Sequence, residues 1–428
     1  MARHGKHCFM PGFRFLHAAD LHLDSPLRGL EADPSAPADA IRSASRRALE
    51  QLVRLAIDEG ASFVLVAGDV YDGDWPDYGA GLFFAAQTRR LADAGIPVFA
   101  IRGNHDAANR MTKSLRMPHV TTFDHRRAHS DVSLEALGVA IHGQSFAEQA
   151  VTDDLSRSYP DPIDGMFNIG LLHTAAEGHA GHQRYAPCDV ARLKAHGYDY
   201  WALGHVHTRT VLSEEPWIVF PGNLQGRHIG EAGPKGASLV EVEDGRVRSV
   251  EHRDLDVLRW VHIEVDATGA ADEDDAMARV RRSIEAAVQK ASPRPVAARL
   301  TLSGATAAHG RLAGPGLRDK VRNEAVAIGC DELLWLESVC LRTRQPPGAS
   351  GRPRSGSLGH LLDDLDAIAG APPAGLLGHW PTTLLGKLDD ALPPDHPLRD
   401  CAAGDLSAIV EEARRRLGAA LEGHDACG

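Results

Sequence analysis

Five short apolar runs each stop abruptly at a polar motif, and this recurrence limits the fold more than any other feature of the chain. Phe13-Arg14-Phe15-Leu16-His17-Ala18-Ala19 meets Asp20-Leu21-His22-Leu23-Asp24, and Ser62-Phe63-Val64-Leu65-Val66-Ala67 meets Gly68-Asp69-Val70-Tyr71-Asp72. Pro97-Val98-Phe99-Ala100-Ile101 leads to Gly103-Asn104-His105-Asp106, Asn168-Ile169-Gly170-Leu171-Leu172 to His173, and Tyr200-Trp201-Ala202-Leu203 to Gly204-His205-Val206-His207. Runs of this length read as buried strands. Between them, residues 38–60 place Ile41, Ala44, Leu49, Leu52, Val53 and Ile57 at helical spacing, and residues 78–94 form a second helix. Strands alternating with helices predict an α/β fold, whose sites lie beyond the carboxyl ends of the strands. Because successive strand residues point to opposite faces, His205 and His207 are expected to aim their rings to one side.

The later segments complete the outline. Residues 119–146 hold shorter alternating runs, expected as hairpins or a second sheet, and residues 187–196 a short helix. Trp217-Ile218-Val219-Phe220 is a strand that ends in Pro221-Gly222-Asn223-Leu224-Gln225-Gly226-Arg227-His228, and residues 237–250 form a hairpin around Asp244-Gly245. A catalytic domain is therefore expected over residues 1–256. Residues 257–345 alternate strand, helix, strand, helix, strand without catalytic clusters and read as a small α+β accessory or capping domain. Residues 346–428 begin as a Pro- and Gly-rich linker and continue as a helical tail.

Composition narrows the function classes. A formal net charge of −12 argues against broad electrostatic capture of nucleic acid, although bound divalent cations and a local arginine cluster can still hold phosphates. The six cysteines include no CxxC pair, so neither a zinc ribbon nor a disulfide framework is expected. Residues 1–12 lack an apolar core, and no apolar stretch of about 20 residues is present, so neither secretion nor membrane insertion is expected. A reducing cytoplasm fits.

The strand-end residues Asp20, His22, Asp69, Asn104, His173, His205 and His207 are all oxygen or imidazole donors. If Asp69 lends one oxygen to each of two divalent cations held about 3.5 to 4 Å apart, each cation gains four protein donors and keeps room for water and phosphate. Mixed imidazole and carboxylate donors suit manganese, iron or zinc over magnesium or calcium, and two manganese ions are the expected pair.

In this order, Asp-x-His, Gly-Asp-x-x-Asp, Gly-Asn-His-Asp, a lone His and Gly-His-x-His resemble the calcineurin-like metallophosphoesterase family, over roughly residues 13–250. The resemblance implies a two-sheet β-sandwich flanked by helices. It also implies that Asp20, His22, Asp69 and His207 hold one metal, and Asp69, Asn104, His173 and His205 the other. His105 is then the catalytic histidine, placed to protonate the leaving oxygen or stabilise phosphoryl charge, with Asp72 as its orienting partner.

Four stretches are similar to the DNA-repair exonuclease branch, of the SbcD and YhaO type: Phe15 to Asp24, Leu172-His173-Thr174 with Tyr185-Ala186-Pro187-Cys188, Tyr198 to His207, and Pro221 to His228. That likeness implies DNA as substrate and an SMC-like ATPase as partner. The accessory domain would bound the DNA site and the tail would dock the ATPase, with a homodimer as a further option. No P-loop occurs in this chain, so any ATP dependence needs such a partner. Arg227 and His228, in a loop after a strand, are candidate contacts to the nucleic-acid backbone. SbcD-like relatives usually carry His where this chain has Asp72, and an Asp-His dyad resembles phosphatases. The alternative is therefore a metal-dependent phosphatase or a phosphodiesterase for nucleotides or cyclic nucleotides. A non-catalytic scaffold is disfavoured by the complete donor set with His105.

Overall fold

A computed structural model describes residues 11–30, 43–72, 78–108, 117–176, 186–330 and 332–346. The expected tail beyond residue 346, the first part of the expected helix at 38–60, and Tyr185 lie outside the described residues.

The apolar runs form strands β1 (Phe13–Ala18), β2 (Phe63–Ala67), β3 (Val98–Ile101), β4 (Val120–Thr122), β5 (His129–Asp131), β6 (Val139–Gly143), β7 (Phe167–His173) and β8 (Tyr200–Gly204). They are followed by β9 (Thr210–Glu214), β10 (Trp217–Phe220), β11 (Gly236–Glu243) and β12 (Arg246–Asp254). Helices α1 (Ala44–Asp58), α2 (Gly79–Asp93), α3 (Asn104–Ala108) and α4 (Val190–Ala195) lie between them. β9 was not expected. Its residues are only half-buried, because it pairs on one side alone, and so it lacks the apolar signature of the inner strands.

The strands form two six-stranded sheets, ordered β12-β11-β1-β2-β3-β4 and β5-β6-β7-β8-β10-β9. Alternation along each inner strand explains why both faces of both sheets are apolar. Phe13 and Phe15 of β1, Phe63 and Leu65 of β2, and Phe99 and Ile101 of β3 meet Phe167, Ile169 and Leu171 of β7 and Tyr200 and Ala202 of β8 in one core between the sheets. Phe15 stacks on Phe63 with ring centroids 4.9 Å apart. Each such buried aromatic side chain contributes on the order of 1.5–3 kcal/mol by leaving water. The intervening residues Leu16, Ala18, Val64, Val66, Val98 and Ala100 face outward and are covered by α1 and α2, while Trp201 and Leu203 face outward beside Leu193 of α4. The result is the expected sandwich with helices on its outer faces.

β1, β2, β3 and β4 run parallel, as do β6, β7, β8 and β10. Parallel pairing puts the carboxyl ends of β1, β2 and β3 along one edge, and those of β7 and β8 along another. The two edges meet, since the ring of His173 at the end of β7 lies 2.8 Å from the carbonyl oxygen of Ala67 at the end of β2.

Beyond β12, the chain adds β13 (Arg259–Asp266), α5 (Glu273–Ala291), β14 (Val296–Ala305), α6 (His309–Leu312), α7 (Leu317–Ala327) and β15 (Leu334–Arg344). The described residues divide into two compact units, one drawn from 1–265, 280–301 and 318–340, the other from 266–279, 302–317 and 341–428. Within the first, Val257, Leu258, Trp260, Ala297 and Trp335 share a core with Leu27, Leu30, Ala44 and Ile229. Within the second, Thr306 Oγ1 donates to the carbonyl oxygen of Ala270 at 2.8 Å, and the rings of His309 and the hydroxyl of Thr343 are 2.9 Å apart. No described helix is long and apolar enough to cross a membrane.

Candidate metal centre

The strands stop where the donors begin because the backbone there leaves the β region. Asp20, His22, Asp69 and His205 have φ values of 51°, 41°, 52° and 103°. Non-glycine residues rarely adopt these angles, and each such residue costs on the order of 1–3 kcal/mol that the surrounding fold must offset. The expectation that strand alternation aims His205 and His207 to one side is therefore corrected. β8 ends at Gly204, the left-handed turn at His205 breaks the alternation, and the two rings reach different clusters.

Asp20, His22 and His207 bring one donor atom each within 4.8 Å of one another, as do Asp69, His173 and His205. Asn104 joins the second group, with its Oδ1 3.0 Å from His173 Nε2, which in turn lies 3.5 Å from Asp69 Oδ2. Asp20 lies 3.8 Å from His207 and accepts the backbone N–H of His205 at 3.0 Å, so it touches both segments. A third group, His22, Asp72 and His105, adjoins the first. His105 Nδ1 lies 3.0 Å from Asp72 Oδ1, and Ser25 donates to the other Asp72 oxygen at 2.7 Å. Packing here is tight enough to require glycine. A Cβ at Gly204 would stand 1.9 Å from the carbonyl oxygen of Ala67, and one at Gly103 would stand 2.2 Å from Asp69 Oδ1.

These residues suit a pair of cations. His22 and His207 point Nε2 atoms at each other across 3.1 Å, and His22 Nδ1 is buried with no hydrogen-bond partner among the described residues. A buried imidazole nitrogen left without a partner is one that a cation nearby can satisfy. Asp20, Asp69 and His173 are at most 1% exposed, so their charges have little water to screen them. Burial raises the pKa of Asp20, whereas at Asp69 burial is outweighed by His173, His22 and His105, which hold it below the usual carboxylate range. The hydrogen bond to Asp72 lifts His105 above its ordinary value and holds Asp72 low.

Several buried or motif residues near the donors have structural partners of their own. Asp106 accepts from the backbone N–H groups of Val70, Tyr71 and Gly103 at 3.1 to 3.2 Å, clamping the Gly68 and Gly103 turns together, and burial pushes its pKa up to about 7. Asp24 pairs with Arg46 through both oxygens at 2.6 Å. His17 and His142 are buried and hydrogen-bonded, the first to Tyr200 and Leu203, the second to Ser130 and Asn168. The structure places Arg227 against Glu231, at 2.9 Å, and 3.7 Å from Asp72, with 17% of its side chain exposed. His228 is 45% exposed at its side chain and caps the turn at Gly230.

Sequence reasoning missed Glu231, which lies 2.7 Å from His207 Nδ1, and Lys235, which donates to the backbone oxygen of His207 at 2.6 Å. The one available signal for Glu231 was its position four residues after Arg227, a spacing that pairs opposite charges.

Parallel strands delivering buried carboxylates and imidazoles to one rim define a metallophosphoesterase. The family model described as calcineurin-like phosphoesterase matches residues 13–209, and the chain belongs to that family. Within it, the chain is YhaO-like: the model for the middle domain of metallophosphoesterase YhaO matches residues 260–344. The chain is 35% identical over 294 residues to the uncharacterized metallophosphoesterase YhaO of Bacillus subtilis (strain 168), covering 68% of this chain and 71% of that one. It is 27% identical over 250 residues to the DNA double-strand break repair protein Mre11 of Haloferax volcanii, covering 55% of this chain and 52% of that one. The Mre11 protein of Sulfurisphaera tokodaii is 24% identical over 276 residues, covering 61% of this chain and 67% of that one. Calcineurin-like phosphoesterases bind two metals, and this chain has ligand clusters suited to them.

Proposed function

We propose that this chain is a two-metal phosphodiester hydrolase that degrades DNA from its ends. Asp20, His22, Asp69 and His207 hold one cation and Asp69, Asn104, His173 and His205 the other. The observation that carries the reading is the meeting of both donor clusters at one rim, with His105 and Asp72 beside them. When bound, the cations supply Lewis acidity at the phosphoryl oxygens and a nucleophile at neutral pH. Asp72 accepts from His105 Nδ1 and favours the protonated ring, which leaves Nε2–H available to the departing sugar oxygen. Relationship to DNA double-strand break repair proteins supports DNA over small phosphoesters. By the same likeness, residues 257–345 would bound the DNA site, and the tail after residue 356 would dock an SMC-like ATPase, the source of any ATP dependence.

The Asp72–His105 contact also favours a second reading, a phosphatase or nucleotide phosphodiesterase. Purified protein with manganese separates the two. Linear duplex and single-stranded DNA should be shortened, and chelation should stop it. Preferential turnover of mononucleotides or aryl phosphates, with DNA left intact, would favour the second reading.

A further inference from the structure

The Glu231 carboxylate is 7% exposed, lies on the turn Ile229–Glu231, and has no role in the chemistry so far described. Its two oxygens gather donors from three residues, His207, Arg227 and Asn223. Oε1 lies 2.7 Å from His207 Nδ1 and accepts Arg227 Nη2 at 2.9 Å. Oε2 accepts Asn223 Nδ2 at 2.9 Å and the backbone N–H of Arg227 at 2.8 Å. Arg227 Nη2 also stands 3.1 Å from His207 Nδ1, but an arginine can only donate, so the carboxylate is the group that holds a proton on that nitrogen. With Nδ1 protonated, the Nε2 lone pair of His207 is left to face His22 and Asp20. From the same guanidinium, Nη1 reaches to 3.7 Å from Asp72 Oδ2, and Asp72 Oδ1 meets His105. A continuous set of contacts therefore runs His207, Glu231, Arg227, Asp72, His105.

We propose that Glu231 is a positioning residue for one of the two cation sites, fixing the tautomer and direction of His207, and that Arg227 carries this alignment to the Asp72–His105 pair. This rests on the metal assignment proposed above. It gives Arg227 an internal role in place of direct contact with substrate phosphate. A partner carboxylate of this kind orients a metal-binding imidazole and raises its basicity, and its loss weakens metal affinity by about 10- to 100-fold.

The test is manganese titration of the full chain, followed by electron paramagnetic resonance, for wild type, Glu231→Gln and Glu231→Ala, with thermal unfolding measured beside it. Glu231→Ala is expected to weaken one manganese site by about 10- to 100-fold and to leave the other unchanged. Glu231→Gln keeps an oxygen for His207 and is expected to fall between, which covers the case in which the alanine variant does not fold. In a His207→Ala background, Glu231→Gln should add no further loss. Two unaltered sites in a variant, or equal weakening of both, would overturn the inference. Wild-type protein that binds no manganese would overturn the metal assignment and this inference together, and it is told apart because the failure appears before any substitution.

Discussion

Trp260 donates its indole N–H to the carbonyl oxygen of Gly226 at 2.9 Å, and its ring is 1% exposed. A Cβ on Gly226 would lie 2.9 Å from both the Trp260 ring and the Glu231 carbonyl oxygen, so the loop and the ring fit only with glycine between them. The Gln225 side chain adds two backbone bonds, donating to Leu258 at 2.7 Å and accepting from Val257 at 2.9 Å. The loop that carries Arg227 and Glu231 is thus stitched to the first strand of the segment matched by the YhaO middle-domain model. Trp260→Ala is expected to cost about 3–5 kcal/mol of unfolding free energy. Trp260→Phe, which loses only the hydrogen bond and some volume, should cost about 0.5–1.5 kcal/mol. Denaturant unfolding of both variants checks this, and an alanine variant as stable as wild type would show that the loop does not depend on the ring.

His105 belongs to neither of the two clusters assigned to the cations, and meets Asp72 in the group that adjoins the first, so its loss should separate chemistry from metal binding. His105→Ala is expected to lower turnover by roughly 10²- to 10⁴-fold while manganese stoichiometry stays at the wild-type value. Elemental analysis alongside the rate measurement decides it. Full activity in the variant would remove His105 from the mechanism.

Gly204 lets β8 pass so close to β2 that no other residue fits. Gly204→Ala must push the backbone at Ala67 aside, and His173 with it, whose Nδ1 would be 2.9 Å from the new Cβ. Overpacking of this kind costs about 1–3 kcal/mol. Thermal unfolding should show the loss, and weaker manganese binding should accompany it, since His173 belongs to a donor cluster.

His17, buried on β1 and bonded to Tyr200 and Leu203, gives the protein a pH-dependent stability. Burial depresses its pKa from 6.5 to about 3, so it is neutral in the folded state and titrates near 6.5 when unfolded. Between those values the unfolded chain binds more protons, and stability is therefore present above about pH 6.5 and lost as pH falls toward 3. The slope is about 1.4 kcal/mol per pH unit for this one group. His17→Gln removes the titration, and its unfolding midpoints measured between pH 6.5 and pH 4 should vary less with pH than those of wild type.

The inner strands were legible because they are apolar on both faces, as at Phe15 and Leu16, and their boundaries came out within a residue or two, whereas the sandwich they build was implied by the family resemblance and not by their periodicity. The donors Asp20, Asp69 and His173 were legible because each follows such a strand directly. Three features were not. β9 is an edge strand with weak alternation, and the left-handed turn at His205 is set by close packing of β8 on β2, which no local pattern records. Glu231 joins the site only through a loop whose path is set by Trp260, a residue 34 positions away from Gly226. Propensity and periodicity see neighbours along the chain, whereas this loop is placed by contacts across it.

Anomalous scattering from a manganese-soaked crystal tests the two-cation centre most directly. Two peaks about 3.5 to 4 Å apart are expected, with Asp69 in contact with both, His22 and His207 on one, and His173 and His205 on the other. A single peak, two peaks that do not share Asp69, or none at this rim would contradict it.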